Sequence, residues 1–364
     1  MKSSDLDLTR LQNPLALNID VQGASYLYFS GTAYLGIPQN EAFKSLYLEG
    51  LKRFGLNNGT SRGNNVQLGI YREAEEYAAR YFGAAGALIT SSGYLAAQLL
   101  VRHYASYGSL LYAPQTHPAL WLNEDPGITG SFNNWAESSL QHINSGKQRK
   151  WLLLSNSLNN LFPERYDFCF LENIHPDKDV TLIVDDSHGI GLLDHGRGIL
   201  NLIAAPKNVQ VIVVASMAKA LGVDAGLILG PQQAITQLKK SNVFMGASPP
   251  AAAGLYAFMH AAGIYRAELE KLHAHMDDFA AGVQPDEWDY VKDYPVYLSK
   301  NKDLYQELLK SRILISSFPY PDQNSPALNR VVLSSWASRE SIGQLLQAIA
   351  AQRGYPSGHS SASP

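Results

Sequence analysis

The chain is almost without cysteine. Its 364 residues hold one, Cys169, so no disulfide can close within the chain and a cysteine-rich metal site has no support. The thiol is expected to be a buried structural one. Charge is also sparse: charged residues make up 17% of the sequence, the formal net charge is −3, and there is no long basic run. Nucleic-acid binding therefore lacks an electrostatic footprint. No apolar run reaches the ~18 residues that a membrane-spanning helix needs. The opening MKSSDLDLTRLQNPLALNID lacks the basic-then-apolar pattern of a signal peptide. A soluble, cytoplasmic protein is the expectation, with a frayed tail after Gly354. Internal repeats and low-complexity segments are absent as well.

What the chain does have is apolar mass. Hydrophobic residues make up 46% of it, which predicts a substantial core, and the length suits one large domain with a second, smaller one. A strand-like run, Ser25 to Ser30, is followed by a helical pattern from about Asn40. A Gly/Asn-rich loop, LNNGTSRGNNVQLG, and a second helix, YREAEEYAARYFG, come next. Both helices end at glycine, the expected C-terminal stop. From Ala87 onward the period changes. ALIT, SLLYAP, WLLLSN, TLIVDD and VQVIVVAS read as strands, with helical stretches between them, including one between the last two. Such alternation predicts a mostly parallel sheet covered on both faces. After Pro250 one long helical stretch leads to a small α+β lobe with strands YPVYLS, ILISSF and NRVVLSS and a closing helix. The expected boundaries are an N-terminal arm at 1–40, a large domain at 41–262 and a small C-terminal domain at 263–364.

Ligands of such sheets bind beyond the carboxyl ends of the strands, and the polar residues cluster there. TLIV ends in Asp185, Asp186, Ser187 and His188; VIVVAS ends in Ser216 and is followed by Met217, Ala218 and Lys219. A lysine placed after a buried strand is poorly solvated, which favours the neutral amine that attacks an aldehyde. A carboxylate such as Asp185 keeps a pyridine nitrogen protonated, and His188 can donate to a phenolic oxygen. Together these are the equipment for pyridoxal 5'-phosphate. Plainer readings stay open for each residue. Lys219 can be a solvated lysine opening a helix, and DDSHG an N-cap or a metal site. Ser92, Gly93 and Tyr94 open a helix after a strand, where backbone N–H groups and the helix dipole attract a phosphate; Ser92 is equally an ordinary N-cap. His117, in QTHPA, suits stacking on an aromatic ring or simple packing. Arg330, at the head of NRVVLSS, suits a substrate carboxylate or a surface salt bridge. No histidine spacing points to a metal.

Taken in order, SSGY, QTHPA, VDDSHGIG…GRG, ASMAKALG and an Arg before a strand resemble the α-oxoamine synthases. These are fold-type I, class II aminotransferase-like pyridoxal-phosphate enzymes that include 8-amino-7-oxononanoate synthase. AYLGI and GTSRGNNVQLG are similar to further family segments, so the resemblance runs from about residue 25 to 350. It implies an α/β PLP-dependent transferase fold with a large, mostly parallel-sheet domain and a small α+β C-terminal domain. It implies Lys219 as the Schiff-base lysine, Asp185 at the ring nitrogen, His188 at the phenolic oxygen and His117 stacked on the ring. Ser92, Gly93, Tyr94 and Ser216 would hold the phosphate, and Arg330 the substrate carboxylate. A homodimer with its active site at the subunit interface is implied too. The implied reaction is decarboxylative condensation of a small amino acid with an acyl-CoA.

The chain departs from that pattern around the substrate. Thr32 and Ala33 stand where the family has Asn before YLG. Asn156 replaces an acid and Asn160 a serine. Gly246 and Ala247 replace hydroxyls that reach a partner's phosphate, and Tyr71 replaces a histidine. Two other readings follow: an aminotransferase or other amino-acid-modifying enzyme that uses no thioester, or a cofactor-binding protein without turnover.

Overall fold

The computed structural model describes residues 6–352 except 160 and 321–323. The tail after Gly354 and Asn160 lie outside the described residues. In chain order the elements are β1 (Asn18–Val21), β2 (Ala24–Phe29), α1 (Glu41–Phe54), α2 (Ile70–Phe82), β3 (Gly86–Thr90), α3 (Gly93–Tyr104), β4 (Ser109–Tyr112), α4 (Phe132–Ser145), β5 (Lys150–Asn156), β6 (Asp179–Asp185), β7 (Val209–Ser216) and β8 (Gly226–Gly230). There follow α5 (Gln232–Lys239), α6 (Asn242–Gly246), α7 (Ala252–His260), α8 (Ala262–Gly282), β9 (Trp288–Asp289), β10 (Val296–Ser299), α9 (Leu304–Lys310), β11 (Ile313–Pro319), β12 (Ala327–Val332) and α10 (Arg339–Gln352).

Two compact units emerge. One comprises Leu35–Leu269 with Val291–Tyr294, and the other holds the remaining described residues. The first contains a six-stranded sheet of order β3-β8-β7-β6-β5-β4. β4 to β7 are mutually parallel, and β8 alone runs against its neighbours. Its strands read as unbroken apolar runs because both faces are covered: every residue of β3 and β8 is buried. On one face, Ala96, Leu100 and Tyr104 of α3 and Ile235 and Leu238 of α5 share a core with Leu152, Ile183, Ile212 and Ile228 of the sheet. Each fully buried aliphatic side chain there contributes about 1.5–3 kcal/mol. The helices stop where the chemistry says they should. Asn40 caps α1 through a bond from the Phe43 N–H, 2.9 Å, worth ~1 kcal/mol, and Gly83 ends α2 in the left-handed region.

The second unit holds a sheet of order β1-β2-β11-β12-β10-β9. The N-terminal hairpin supplies two of its strands, β2 lying parallel to β11 while the remaining pairs are antiparallel.

Three expectations are corrected. No α-helix joins β6 to β7; only the 3-10 turns Asp194–Gly196 and Leu200–Leu202 occur. The backbone there is left-handed at Gly191, Asp194, His195, Gly196 and Gly198, a run that no right-handed helix accommodates. The long helix after Pro250 is two, because Ala261 leaves helical geometry at φ −97°, ψ 10°. Cys169 is exposed rather than buried, since it opens a 3-10 turn on the surface after Phe168.

Candidate active site

β6 ends in two acids with opposite fates. Successive side chains at a strand end point to opposite faces, so Asp185 and Asp186 part company. Asp185 is half-buried, and its Oδ1 accepts the Ser187 N–H at 2.9 Å. Asp186 is 0% exposed. Its Oδ2 accepts the Ile199 N–H at 2.8 Å. A Cβ at Gly189 would collide with Asp186 Oδ1 and one at Gly198 with Oδ2. The glycines of GIG…GRG are therefore the space this carboxylate occupies. Burial pushes its pKa up to about 7, opposed by the nearby Ser157 hydroxyl and the Ile199 N–H. Its backbone also closes the turn that carries His188: the Asp186 carbonyl accepts from the Gly189 and Ile190 N–H groups.

Lys219 lies in the turn between β7 and β8, not at the head of a helix. Its Nζ is 3.0 Å from His188 Nε2. Burial lowers the lysine's pKa, and the charge of Asp185 works the other way. A desolvated amine, an imidazole and a carboxylate thus share the carboxyl ends of adjacent strands β6 and β7. Tyr294, buried, presents its ring to His188 edge-on at 6.3 Å.

His117 caps the 3-10 turn Pro118–Leu120, its Nδ1 accepting the Ala119 N–H at 3.1 Å. A nitrogen that accepts carries no proton, so the ring is neutral with hydrogen on Nε2. Burial holds its pKa down; Asp185 raises it and Lys219 lowers it. The His117 N–H donates to Asn156 Oδ1 at 3.1 Å, and Asn156 Nδ2 donates to the Gln115 carbonyl at 2.6 Å.

At the start of α3, Ser92 Oγ accepts the Leu95 N–H at 3.1 Å, so the cap reading of Ser92 holds. The Gly93 and Tyr94 N–H groups, first in the helix, have no intrahelical acceptor. The Tyr94 side chain is 62% exposed. A Cβ on Gly93 would sit 2.7 Å from Ser216 Cβ, so only glycine lets α3 approach β7 this closely. Ser216 donates its N–H to Ser187 Oγ at 2.8 Å. Arg330 belongs to the other unit, on β12. There its guanidinium bonds Ser316 Oγ at 3.4 Å and lies 4.8 Å from the centre of the Phe318 ring.

Two of the departing segments meet. The Arg62 N–H donates to the Ala247 carbonyl and the Gly63 N–H to Met245. The Arg62 guanidinium is inside, 2.6 Å from Glu75 and about equally far from the Tyr71 and Phe244 rings, at 5.0 and 4.9 Å. Lys239 pairs with the other Glu75 oxygen at 2.6 Å. The glycine-rich loop is thereby anchored to α2 and α6, and the same Glu75 carboxylate ties α2 to α5.

The structure brings Asp185, His188, Lys219, His117, Gly93, Tyr94 and Ser216 into one unit. Sequence reasoning passed over Ser187, Asp186 as a clamp, and Tyr294. The paired glycines of GIG…GRG were the available signal for Asp186; Tyr294 had none. Among the described residues no group of three or more His, Cys, Asp or Glu could hold a metal ion. No described helix is long and apolar enough to cross a membrane.

Comparison with known proteins gives the family and the fold. A family model described as aminotransferase class I and II matches residues 129–349. An 8-amino-7-oxononanoate synthase of Saccharophagus degradans is 21% identical over 357 residues, covering 93% of this chain and 90% of that protein. The fold is that of a serine palmitoyltransferase from S. paucimobilis solved with PLP and myriocin bound, at TM-score 0.80 and 15% identity over 94% of this chain and 92% of that one. It is also that of an 8-amino-7-oxononanoate synthase from Francisella tularensis, at TM-score 0.67 and 19% identity, over 90% and 98% of the two chains. The chain belongs to the aminotransferase class I and II family, transferases of fold type I that work with pyridoxal phosphate.

Proposed function

We propose that this protein is an α-oxoamine synthase, joining a small amino acid to an acyl-CoA with loss of CO₂. The observation that carries the reading is the meeting of Lys219 Nζ with His188 at 3.0 Å, in a desolvated setting within the field of Asp185.

The residues fit pyridoxal phosphate on three counts. An amine biased toward neutrality suits an aldehyde. A half-buried carboxylate on the neighbouring strand suits a pyridinium. A helix N-terminus with two uncommitted N–H groups, drawn tight against Ser216 by Gly93, suits a phosphate. When bound, the cofactor supplies an electron sink for a carbanion. The chain's own groups do the rest. Lys219 Nζ takes a proton from the substrate Cα and later returns one. Asp185 keeps the ring nitrogen protonated. His188 orients the phenolic oxygen, and the neutral His117 ring offers a flat face. The N–H groups of Gly93 and Tyr94 and the Ser216 hydroxyl bind phosphate, and Arg330 binds the substrate carboxylate.

A homodimer is part of this reading. It is supported by apolar side chains left exposed around the glycine-rich loop and α6: Leu56 at 80%, Val66 at 71%, Val243 at 45% and Met245 at 42%. Light scattering that gives a monomer mass at working concentration would remove that part.

The test is spectral. Wild-type protein given pyridoxal phosphate should show a violet absorbance band, and Lys219→Ala should not. Addition of glycine, alanine or serine with an acyl-CoA should release free thiol. A protein that leaves the cofactor spectrum unchanged refutes the proposal. The altered surroundings at Asn156 and Tyr71 keep a second reading in view, an aminotransferase. Conversion of the bound cofactor to its pyridoxamine form, with a keto acid produced and no thiol, decides for it.

A further inference from the structure

We infer that Asn156 is a positioning residue for His117, bridging the turn before it with both ends of its carboxamide; the inference rests on the proposed use of His117 as a cofactor face. Asn156 is the last residue of β5 and 2% exposed. It lies opposite Asp185 in the β5–β6 register. Its Oδ1 accepts from the His117 N–H at 3.1 Å and its Nδ2 donates to the Gln115 carbonyl at 2.6 Å. Gln115 has φ +59°, a left-handed conformation that a residue with a Cβ adopts at a cost. The bridge therefore spans Thr116, starting at the carbonyl of the strained residue itself and ending at the His117 N–H, and fixes the backbone between them. His117 Nδ1 then accepts from Ala119, which fixes the ring. Strand end, turn and imidazole form one chain of bonds.

The amide is suited to this place by its chemistry. It presents one donor and one acceptor on a short neutral stem. A carboxylate would keep the bond from His117 but turn a lone pair toward the Gln115 carbonyl. It would also set a second negative charge beside Asp185, and like charges oppose ionisation of both. Asn156 thus holds the turn and leaves Asp185 as the sole acid at that paired position. The ionisable neighbours of the bridge are His117 itself, Asp185 on β6 and Lys219 after β7.

The test compares wild type, Asn156→Ala and Asn156→Asp. Histidine labelled with ¹⁵N reports the ring tautomer in protein without added cofactor, with His117→Gln assigning the signal and His142 serving as a fold control. Wild type should show a single form with Nδ1 unprotonated. Asn156→Ala should show exchange between tautomers at every pH. Asn156→Asp, whose ionised carboxylate turns a lone pair toward the Gln115 carbonyl, should show it at about pH 8, with wild type at the same pH as the reference. Pyridoxal phosphate should bind about tenfold more weakly to the alanine variant, a loss the size of one buried bond. His117 locked in one tautomer in both variants, with cofactor affinity within about twofold of wild type, overturns the inference. If wild type fails to bind cofactor, the function proposed above fails, while the tautomer measurement still decides on Asn156. If the alanine variant does not fold, the aspartate variant supplies the comparison with wild type.

Discussion

Asp185, His188, Lys219 and His117 are half-buried and ionisable, whereas Asp186, Ser187 and Asn156, a residue or a hydrogen bond away, are buried and spend their bonds on backbone. The first group faces the space where chemistry would occur. The second fixes where the first group stands: Asp186 closes the loop behind His188, Ser187 pins the end of β7, and Asn156 ties down the turn before His117. The two groups differ in what a substitution can do. Removing a side chain from the first should change chemistry and leave the fold; disturbing the second should move backbone.

The sharpest contrast is between Lys219→Ala and any change behind it. Lys219→Ala should abolish the cofactor band completely, while the variant melts no lower than wild type without cofactor, because a desolvated amine stabilises nothing by its burial. A large loss of melting temperature would place Lys219 with the structural group instead. Next is Gly198→Ala. The new methyl collides with Asp186 Oδ2, and the backbone there is at φ +82°. Overpacking and left-handed strain together should cost about 2–4 kcal/mol, read as the denaturant midpoint. A cost under ~0.5 kcal/mol, the size of a surface change, would mean the loop is not clamped.

Asp186→Asn sharpens the comparison through pH. Burial raises the folded-state pKa of Asp186 from 3.8 to about 7, so between those values the folded protein holds the proton more tightly than the unfolded chain. The group's favourable contribution is complete at acid pH and is lost as pH rises through about 7. Asparagine has no such dependence. Its stability relative to wild type should therefore climb between about pH 5 and pH 8, by on the order of 2 kcal/mol. A flat difference across that range would show that the carboxyl is ionised throughout. The smallest effect belongs to Cys169→Ser, exposed and remote from both groups; unfolding should shift by less than about 0.5 kcal/mol.

The central sheet was legible because its strands hold short apolar runs bounded by turn residues, β-branched in β6 and β7, and such runs suit a sheet covered on both faces. TLIVDD and VQVIVVAS form strands β6 and β7 as read, and the structure pairs them side by side. β8 was missed, its GLILG being short and glycine-flanked, and so was β1. The loop after His188 forms no α-helix: Gly191, Gly196 and Gly198 stand at positive φ, and the tertiary space around Asp186 admits no side chain at Gly189 or Gly198. The place of the N-terminal hairpin beside β11 had no local signal, since strand pairing across some 290 residues is set by register and packing. At the site, the residue types were readable from motif and order. The distinction between Asp185 and Asp186 was not, for adjacent acids look alike until a strand gives each a face.

By itself, the sequence determined that this chain folds as an α/β protein around a mostly parallel sheet and that its acid, imidazoles and lysine gather at the strand ends. Local propensity and hydrophobic period suffice for that, because each is written in a few consecutive residues. Only the tertiary structure decided which acid is half-buried and which is entombed, that His117 Nδ1 is taken up by a neighbouring N–H, and that Asn156 reaches two points of a turn some forty residues earlier. Burial and hydrogen-bond partnership depend on what the rest of the chain brings alongside, and no short window of sequence contains that.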